Sequence, residues 1–414
     1  MTFDDLTRTA LIRGATAFAV VLVVGSTAVY TSARLHGSDA AGSSPTNPVG
    51  PTPTQQASTG TPEAWLAWVP GGLPDGFGAS ITAIPAIANT TTATADIAWL
   101  TGSSDARGRA VDQPVDPYMI PIDTTGVEPG FASFLPLPER RLVAGLNAHQ
   151  GILSESEAKL RHLGVGSTLT FSTGIDVTIV GTVPDVLMGS YELLVDRATA
   201  DAIGVTHDRY ILFQVRSYVH PTAAQLAQRF IPYLPIDVPH PVVEVRAPGE
   251  TKYLRANDRE APPIVLKERF GEFDAHPDPT RATAITIDPA WVQAHVSSED
   301  LPLLHTVTCD TEVLDLLRRA MTQLQSAGHG SDVTSAGTCY DPVADPSDPD
   351  GPFTAKAFGA AIELNRGTNA PGTPPEQPRS LIAALARWGF GWAGRDAYPQ
   401  GALFRFRALS VARD

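Results

Sequence analysis

Two stretches near the C-terminus concentrate the side chains that could do chemistry. Phe353–Asn365 reads F-T-A-K-A-F-G-A-A-I-E-L-N, and Arg387–Phe406 reads R-W-G-F-G-W-A-G-R-D-A-Y-P-Q-G-A-L-F-R-F. The first carries one cation, Lys356, and one carboxylate, Glu363, seven residues apart. The second sets Trp388 and Trp392 among glycines and continues to Gln400, Leu403 and Arg405. An ammonium and a carboxylate can pair, and Arg405 offers a further cation. On an exposed surface such a pair contributes only about 0–1 kcal/mol, and all three charges then read as solvated. The sequence has no Gly-rich phosphate loop, no Gly-x-Ser-x-Gly elbow and no internal repeat.

Together the two stretches resemble the active-site segments of VanY-type D-alanyl-D-alanine carboxypeptidases and the related L-alanyl-D-glutamate peptidases. That family carries Ser-x-His-x-x-Gly-x-Ala-x-Asp, then Trp-Gly-Phe-x-Trp-Gly-Gly, then Asp-x-Met-His-Phe-Glu. Here Gly359, Ala361, Asn365, Trp388, Gly389, Phe390, Trp392, Gly394 and Phe404 keep the frame. The family's three metal positions fall on Lys356, Glu363 and Leu403, its general base on Gln400, and a further Glu on Arg405. A catalytic zinc needs three ligands with free lone pairs and one open position for water. Leucine offers none, and lysine offers one only after deprotonation, which costs roughly 4–5 kcal/mol at pH 7. Glutamine cannot take a proton from an attacking water. The resemblance therefore implies a peptidase-like domain with no catalytic residue and no metal. Its groove would be formed by Lys356, Glu363, Trp388, Trp392 and Arg405, with a peptidoglycan stem peptide as ligand. For the two tryptophans, core packing is the competing role. The family's arginine for the substrate carboxylate falls on Val343.

The two cysteines, Cys309 and Cys339, form an even pair. In an exported protein such a pair reads as a disulfide; zinc ligation would need two further Cys or His at metal spacing. His295, His305 and His329 lie outside the motif frame and read as surface or capping residues.

Thirty Lys and Arg stand against 44 Asp and Glu, a net charge of −14. That balance excludes nucleic acid as a partner, because phosphate binding needs a basic face. Gly14–Ala33 runs twenty residues without a charge between Arg13 and Arg34. As a helix it spans about 30 Å, the thickness of the hydrocarbon core. Its length favours an uncleaved membrane anchor over a secretory signal cleaved near Ala33. No second span follows, so the remainder is expected outside the cell membrane.

The expected organisation is α+β throughout. Residues 1–35 are tail and transmembrane anchor, and 36–62 are a Pro/Ser/Thr-rich linker unable to bury a core. Residues 63–250 read as an α+β domain. Ser154 and Glu157 form a capping box on a short helix stopped by Gly164 and Gly166. Two strands, 168–171 and 176–180, follow around Thr173-Gly174. Strands at 191–195, 210–215 and 242–245 and a helix at 222–230 complete the pattern. Leu163–Gly166, Leu169 and Val177–Gly181 resemble a unit of the extracytoplasmic domain of MacB- and FtsX-type permeases. Residues 251–285, rich in charge and proline, read as a connector. Residues 286–414 form the peptidase-like domain, with a helix capped by Asp310 or Thr311 and another at 380–387.

The leading expectation is a membrane-anchored extracytoplasmic protein, defective as a peptidase and needing no cofactor. One alternative is an active zinc peptidase with relocated ligands. Another is an interaction module for an ABC transporter or other envelope partner.

Overall fold

Between Ile87 and Ser104 the chain is rich in threonine and other residues that suit a pleated backbone, with no proline and one glycine, Gly102. It forms a single strand of 18 residues, β2, on which the first half of the structure is built. The computed structural model describes residues 64–407 apart from 190, 217–218, 237–240, 250–253, 255–260, 282, 344–352 and 397. The expected anchor at 14–33 and linker at 36–62 lie outside the described residues. No helix among the described residues is long and apolar enough to cross a membrane. The described residues form one compact unit of mixed α+β structure.

In chain order the sheet lobe comprises β1 (Trp65–Trp68), α1 (Phe77–Thr82), β2, β3 (Ile120–Val127), α2 (Leu137–Ala144), β4 (Gln150–Ser154) and α3 (Glu155–Leu160). There follow β5 (Thr168–Phe171), β6 (Asp176–Val183), α4 (Asp185–Met188), β7 (Leu193–Asp196), α5 (Arg197–Ala202), β8 (Asp208–Val215), α6 (Ala223–Phe230) and β9 (Glu244–Arg246). The strands run β3-β7-β4-β6-β5-β2-β8-β1-β9, and β3 also pairs with β2. Six strands thus close a barrel-like ring, and three extend from it. The β3–β7 and β4–β6 pairs are parallel and the others antiparallel.

Every ring strand sends side chains into one cluster, represented by Leu100, Ile122, Leu153, Phe171, Ile179 and Val195. Burying each large apolar side chain contributes about 1.5–3 kcal/mol. A glycine is required at Gly126, where a Cβ would lie 2.3 Å from Ala200 Cβ and 2.5 Å from Thr94 Oγ1. α5 can therefore press directly onto β3. On the extension, α6 starts at a complete capping box, with Thr222 and Gln225 exchanging side-chain-to-backbone bonds.

The expected capping box on α3 is only half made. Ser154 Oγ accepts from Glu157 N at 3.1 Å. The Ser154 N–H donates instead to Glu192 O, and the Glu157 side chain turns inward to Arg161. A guanidinium one turn along the helix takes the Glu157 carboxylate, and the Glu192 carbonyl takes the Ser154 N–H.

The C-terminal lobe begins within the stretch expected to be a connector. It comprises α7 (Pro263–Phe270), β10 (Ala275–Pro277), β11 (Ile285–Ile287), α8 (Pro289–His295), β12 (Val296–Leu301) and β13 (His305–Asp310). It continues with α9 (Thr311–Ser326), β14 (Ala361–Glu363), α10 (Arg379–Arg387), β15 (Phe390–Trp392) and β16 (Leu403–Phe406). Asp310 caps α9, accepting from Glu312 N at 2.8 Å. Val313, Leu317, Ala320, Met321 and Leu324 then bury one face. Cys309 and Cys339 form a disulfide, with Cα atoms 5.3 Å apart. The lobe's core extends onto the outer face of β2, where Ile97 and Trp99 pack against it. Trp99 meets Phe353 edge-to-face at 6.2 Å.

Gly126→Ala is expected to destabilise the fold by about 1–3 kcal/mol, since Ala200 has no flexible end to retract; urea unfolding measures it. Reducing the disulfide should cost roughly 3–4 kcal/mol on the chain-entropy view of its 30-residue separation. Paired unfolding curves with and without reductant check that value.

Candidate functional site

A tight turn carries Lys356. Ala357 N bonds Thr354 O at 3.0 Å, Gly359 N bonds Lys356 O at 2.9 Å, and Ala360 N bonds Ala355 O at 2.7 Å. Gly359 closes the turn at φ 64°, a left-handed value that suits glycine. A Cβ there would lie 2.4 Å from the Asp310 backbone nitrogen. The glycine thus lets the turn lie against the start of α9 and the disulfide. β14 follows at once and pairs antiparallel with β16, matching Ala361 with Arg405 and Glu363 with Leu403. β15 pairs with the other edge of β16.

This geometry brings Lys356 Nζ to 2.6 Å from Glu363 Oε1, with the two side chains 16% and 15% exposed. Arg366, a residue the sequence patterns did not single out, holds Glu363 Oε2 at 3.0 Å. Both carboxylate oxygens therefore accept from cations. Leu403 sits opposite Glu363 in the register and supplies no lone pair. Gln400 belongs to the turn before β16: its N–H donates to Ala393 O at 3.1 Å, and its carbonyl accepts from Leu403 N at 3.0 Å. Zinc at these positions would have to displace an ammonium and take a carboxylate from two cations. The residues present do not fit the metal.

Arg405, expected as a third member, has its Nη1 at 3.8 Å from Asp396 Oδ2. Burial pulls its pKa down to about 10, which leaves it charged at neutral pH. Trp388 donates from Nε1 to Gln323 Oε1 at 3.1 Å and lies under the Arg319 guanidinium at 5.6 Å. Trp392 donates to Gly401 O at 2.8 Å. Each indole thus has its one polar group bonded within the lobe, and both rings pack against its core.

A loop covers the ion pair. Gly337 N donates to Glu363 O at 2.8 Å, and a Cβ on Gly337 would lie 3.2 Å from Glu363 Cβ. Asn365, in the left-handed region at φ 55°, anchors that loop. Its Oδ1 accepts from Thr334 N at 2.7 Å and Thr334 Oγ1 at 2.8 Å, and its Nδ2 donates to Asp332 O at 2.8 Å.

A second concentration of charge escaped the sequence patterns. Glu157 on α3, Arg161 at its C-terminal cap, Asp123 on β3, Glu192 before β7 and Lys267 on α7 are all nearly or fully buried. The available signal was the acid and base four residues apart on the apolar side of α3. Lys267 Nζ donates to Glu192 Oε2 at 2.7 Å and Pro121 O at 2.6 Å. Arg161 is paired with both Glu157 and Glu272.

Lys356→Met and Glu363→Leu are each expected to destabilise by about 1–3 kcal/mol, because the first leaves Glu363 only the exposed Arg366 and the second leaves the mostly buried Lys356 ammonium without its carboxylate. A Lys356→Met/Glu363→Leu double variant should recover most of that loss. A double-mutant cycle by chemical denaturation gives the coupling; additive losses would remove the pair's energetic role.

No family model matches the chain, and no curated protein matches it. Three solved structures are similar to part of it in backbone arrangement. The periplasmic region of MacB from Actinobacillus actinomycetemcomitans matches at 13% identity and TM-score 0.29, covering 44% of this chain and 88% of that one. A permease-protein domain from Porphyromonas gingivalis matches at 16% identity and TM-score 0.27, covering 45% and 86%. The extracellular domain of the noncanonic ABC-type transporter YknZ from Gram-positive bacteria matches at 11% identity and TM-score 0.29, covering 44% and 99%.

Proposed function

We propose that this chain is an extracytoplasmic interaction module that holds an envelope partner and hydrolyses nothing at its peptidase-like frame. The observation that carries this reading is the Lys356–Glu363 pair at 2.6 Å, with Arg366 on the second carboxylate oxygen. An ammonium at the family's first metal position removes the Lewis acid, and glutamine at residue 400 removes the base. Water at that frame then has neither a group to acidify it nor one to take its proton. The disulfide supports an oxidising location, which in the proposed topology lies beyond a Gly14–Ala33 anchor.

In this reading, the sheet lobe and the C-terminal lobe, which begins at α7, are the two binding units. The partner is a component of the cell envelope. For the C-terminal unit, the frame of Gly359, Trp388, Trp392 and Gly394 makes a D-alanine-terminated stem peptide the first ligand to test. For the sheet unit, the partner is a transporter or other envelope protein.

Calorimetry of the purified full chain with a stem pentapeptide, followed by mass spectrometry of the mixture with and without added zinc, tests the proposal. Binding with no cleaved product supports the peptide ligand. With neither heat nor product, crosslinking in cells from the sheet unit should recover an envelope protein. Release of D-alanine that a chelator abolishes would overturn the proposal in favour of an active zinc peptidase.

A further inference from the structure

The charge cluster between α3 and α7 is unbalanced, and the imbalance falls where the two lobes meet. Among the described residues, two cations serve it. Arg161 pairs with Glu157 on its own helix and Glu272 just after α7, and its Nη1 lies 3.4 Å from Asp112 Oδ2. Lys267 lies 2.7 Å from Glu192 Oε2 and 3.3 Å from Glu272 Oε1. Asp123 completes the set: its carbonyl accepts from Glu192 N, and its N–H donates to Glu192 Oε2 at 2.9 Å. Five carboxyl groups thus surround these two cations, the buried Asp123, Glu157 and Glu192 and the partly exposed Asp112 and Glu272, so full ionisation would leave an excess of three negative charges.

Three carboxyl oxygens expose that excess. Asp123 Oδ1, Glu157 Oε2 and Glu192 Oε1 are buried and accept no hydrogen bond. A buried, unpartnered carboxylate oxygen is costly when charged and much less so when it carries a proton. Acids on the surrounding elements add to the repulsion rather than relieve it. Asp96 on β2 raises Asp123 further, although its own Oδ2 is 2.6 Å from His207 Nδ1. Asp274, which follows α7, is itself raised by burial and by Glu272 and Asp288.

We infer that this cluster is a proton-binding latch: protonation of its carboxyl groups holds α7 and the C-terminal lobe against the sheet lobe, and proton loss loosens that contact. α7 is the element that responds. Its Lys267 reaches across to the Pro121 carbonyl of β3. Its following Glu272 is shared by both cations.

Burial pushes Asp123, Glu157 and Glu192 up to about 7, more than the neighbouring cations pull them down. Burial opposes the charge of Lys267, but Glu192, Glu272 and Glu157 outweigh it, and its pKa moves up. Lysine therefore stays charged throughout the neutral range. For acids raised on folding, stabilisation is complete below the ordinary carboxylate range and is lost as pH rises through about 7. The latch is closed at mildly acidic pH and weakest above neutrality.

Hydrogen exchange of the full chain, read as protection factors with the intrinsic pH dependence removed, tests the inference at residues 263–270. For each net proton released on opening, protection should fall about tenfold per pH unit between pH 5 and 7. Asp123→Asn and Glu157→Gln, which mimic the protonated forms, should flatten that slope and raise protection at pH 8. Where a variant fails to fold, the carboxyl 13C resonances of Asp123, Glu157 and Glu192 in the unaltered chain decide. Midpoints near 7 support the latch. Midpoints all below 5, or protection of α7 unchanged from pH 5 to 8, overturn it.

Discussion

The backbone of β2 needs a partner along every part of its length, and most of the architecture follows from how this is done. Its partner on one edge is β3, over residues 93–100. Its other edge is shared in sequence by β8, up to Thr94, and β5, from Leu100. At the changeover the Ile97 N–H is taken by Asp96 Oδ1, while Ala95 N bonds His207 O and Trp99 O accepts from Ser172 N. One strand can therefore belong both to a closed ring and to an open extension. Closure leaves the ring strands without free edges, which is a route to solubility for a sheet of this size. The outer face of the same stretch carries Ile97 and Trp99, which the C-terminal lobe covers.

The two charged constellations obey the same electrostatics with opposite outcomes. At Lys356 and Glu363 the charges balance, each oxygen of the carboxylate has a donor, and the backbone turn needs only Gly359 to fit. Between α3 and α7 the acids outnumber the bases, and burial drives protons onto them. A balanced buried pair contributes specificity of geometry more than stability. An unbalanced one makes the contact it supports depend on the solution.

Local signals were legible in the sequence. Asp310 and Thr222 mark helix starts because their side chains satisfy nearby backbone N–H groups. The 168–183 hairpin follows from alternation around Gly174, which adopts φ 80°. The disulfide was legible in the even pair of cysteines, and the Lys356–Glu363 contact in the family positions on which those two residues fall. What escaped depends on distant partners. Glu157 looked like a capping residue because the buried position of its partner Arg161 depends on Glu272, 111 positions further on. α7 hid in a run of prolines and charges, since the burial of Lys267 is decided by Glu192, 75 residues away. Ring closure has no sequence period, because it is set by which edges remain after local pairing.

The strand order also imposes a timetable on synthesis. β1 emerges early, yet both of its neighbours, β8 and β9, come well over a hundred residues later. The first half of β2 likewise waits for β8. Pairings so far apart along the chain make for slow assembly and leave apolar strand edges uncovered meanwhile. A nascent chain stopped before Asp208 would carry Trp65–Trp68 and Ile87–Thr94 without their companion, so this protein's most vulnerable moment falls before the ribosome has delivered its eighth strand.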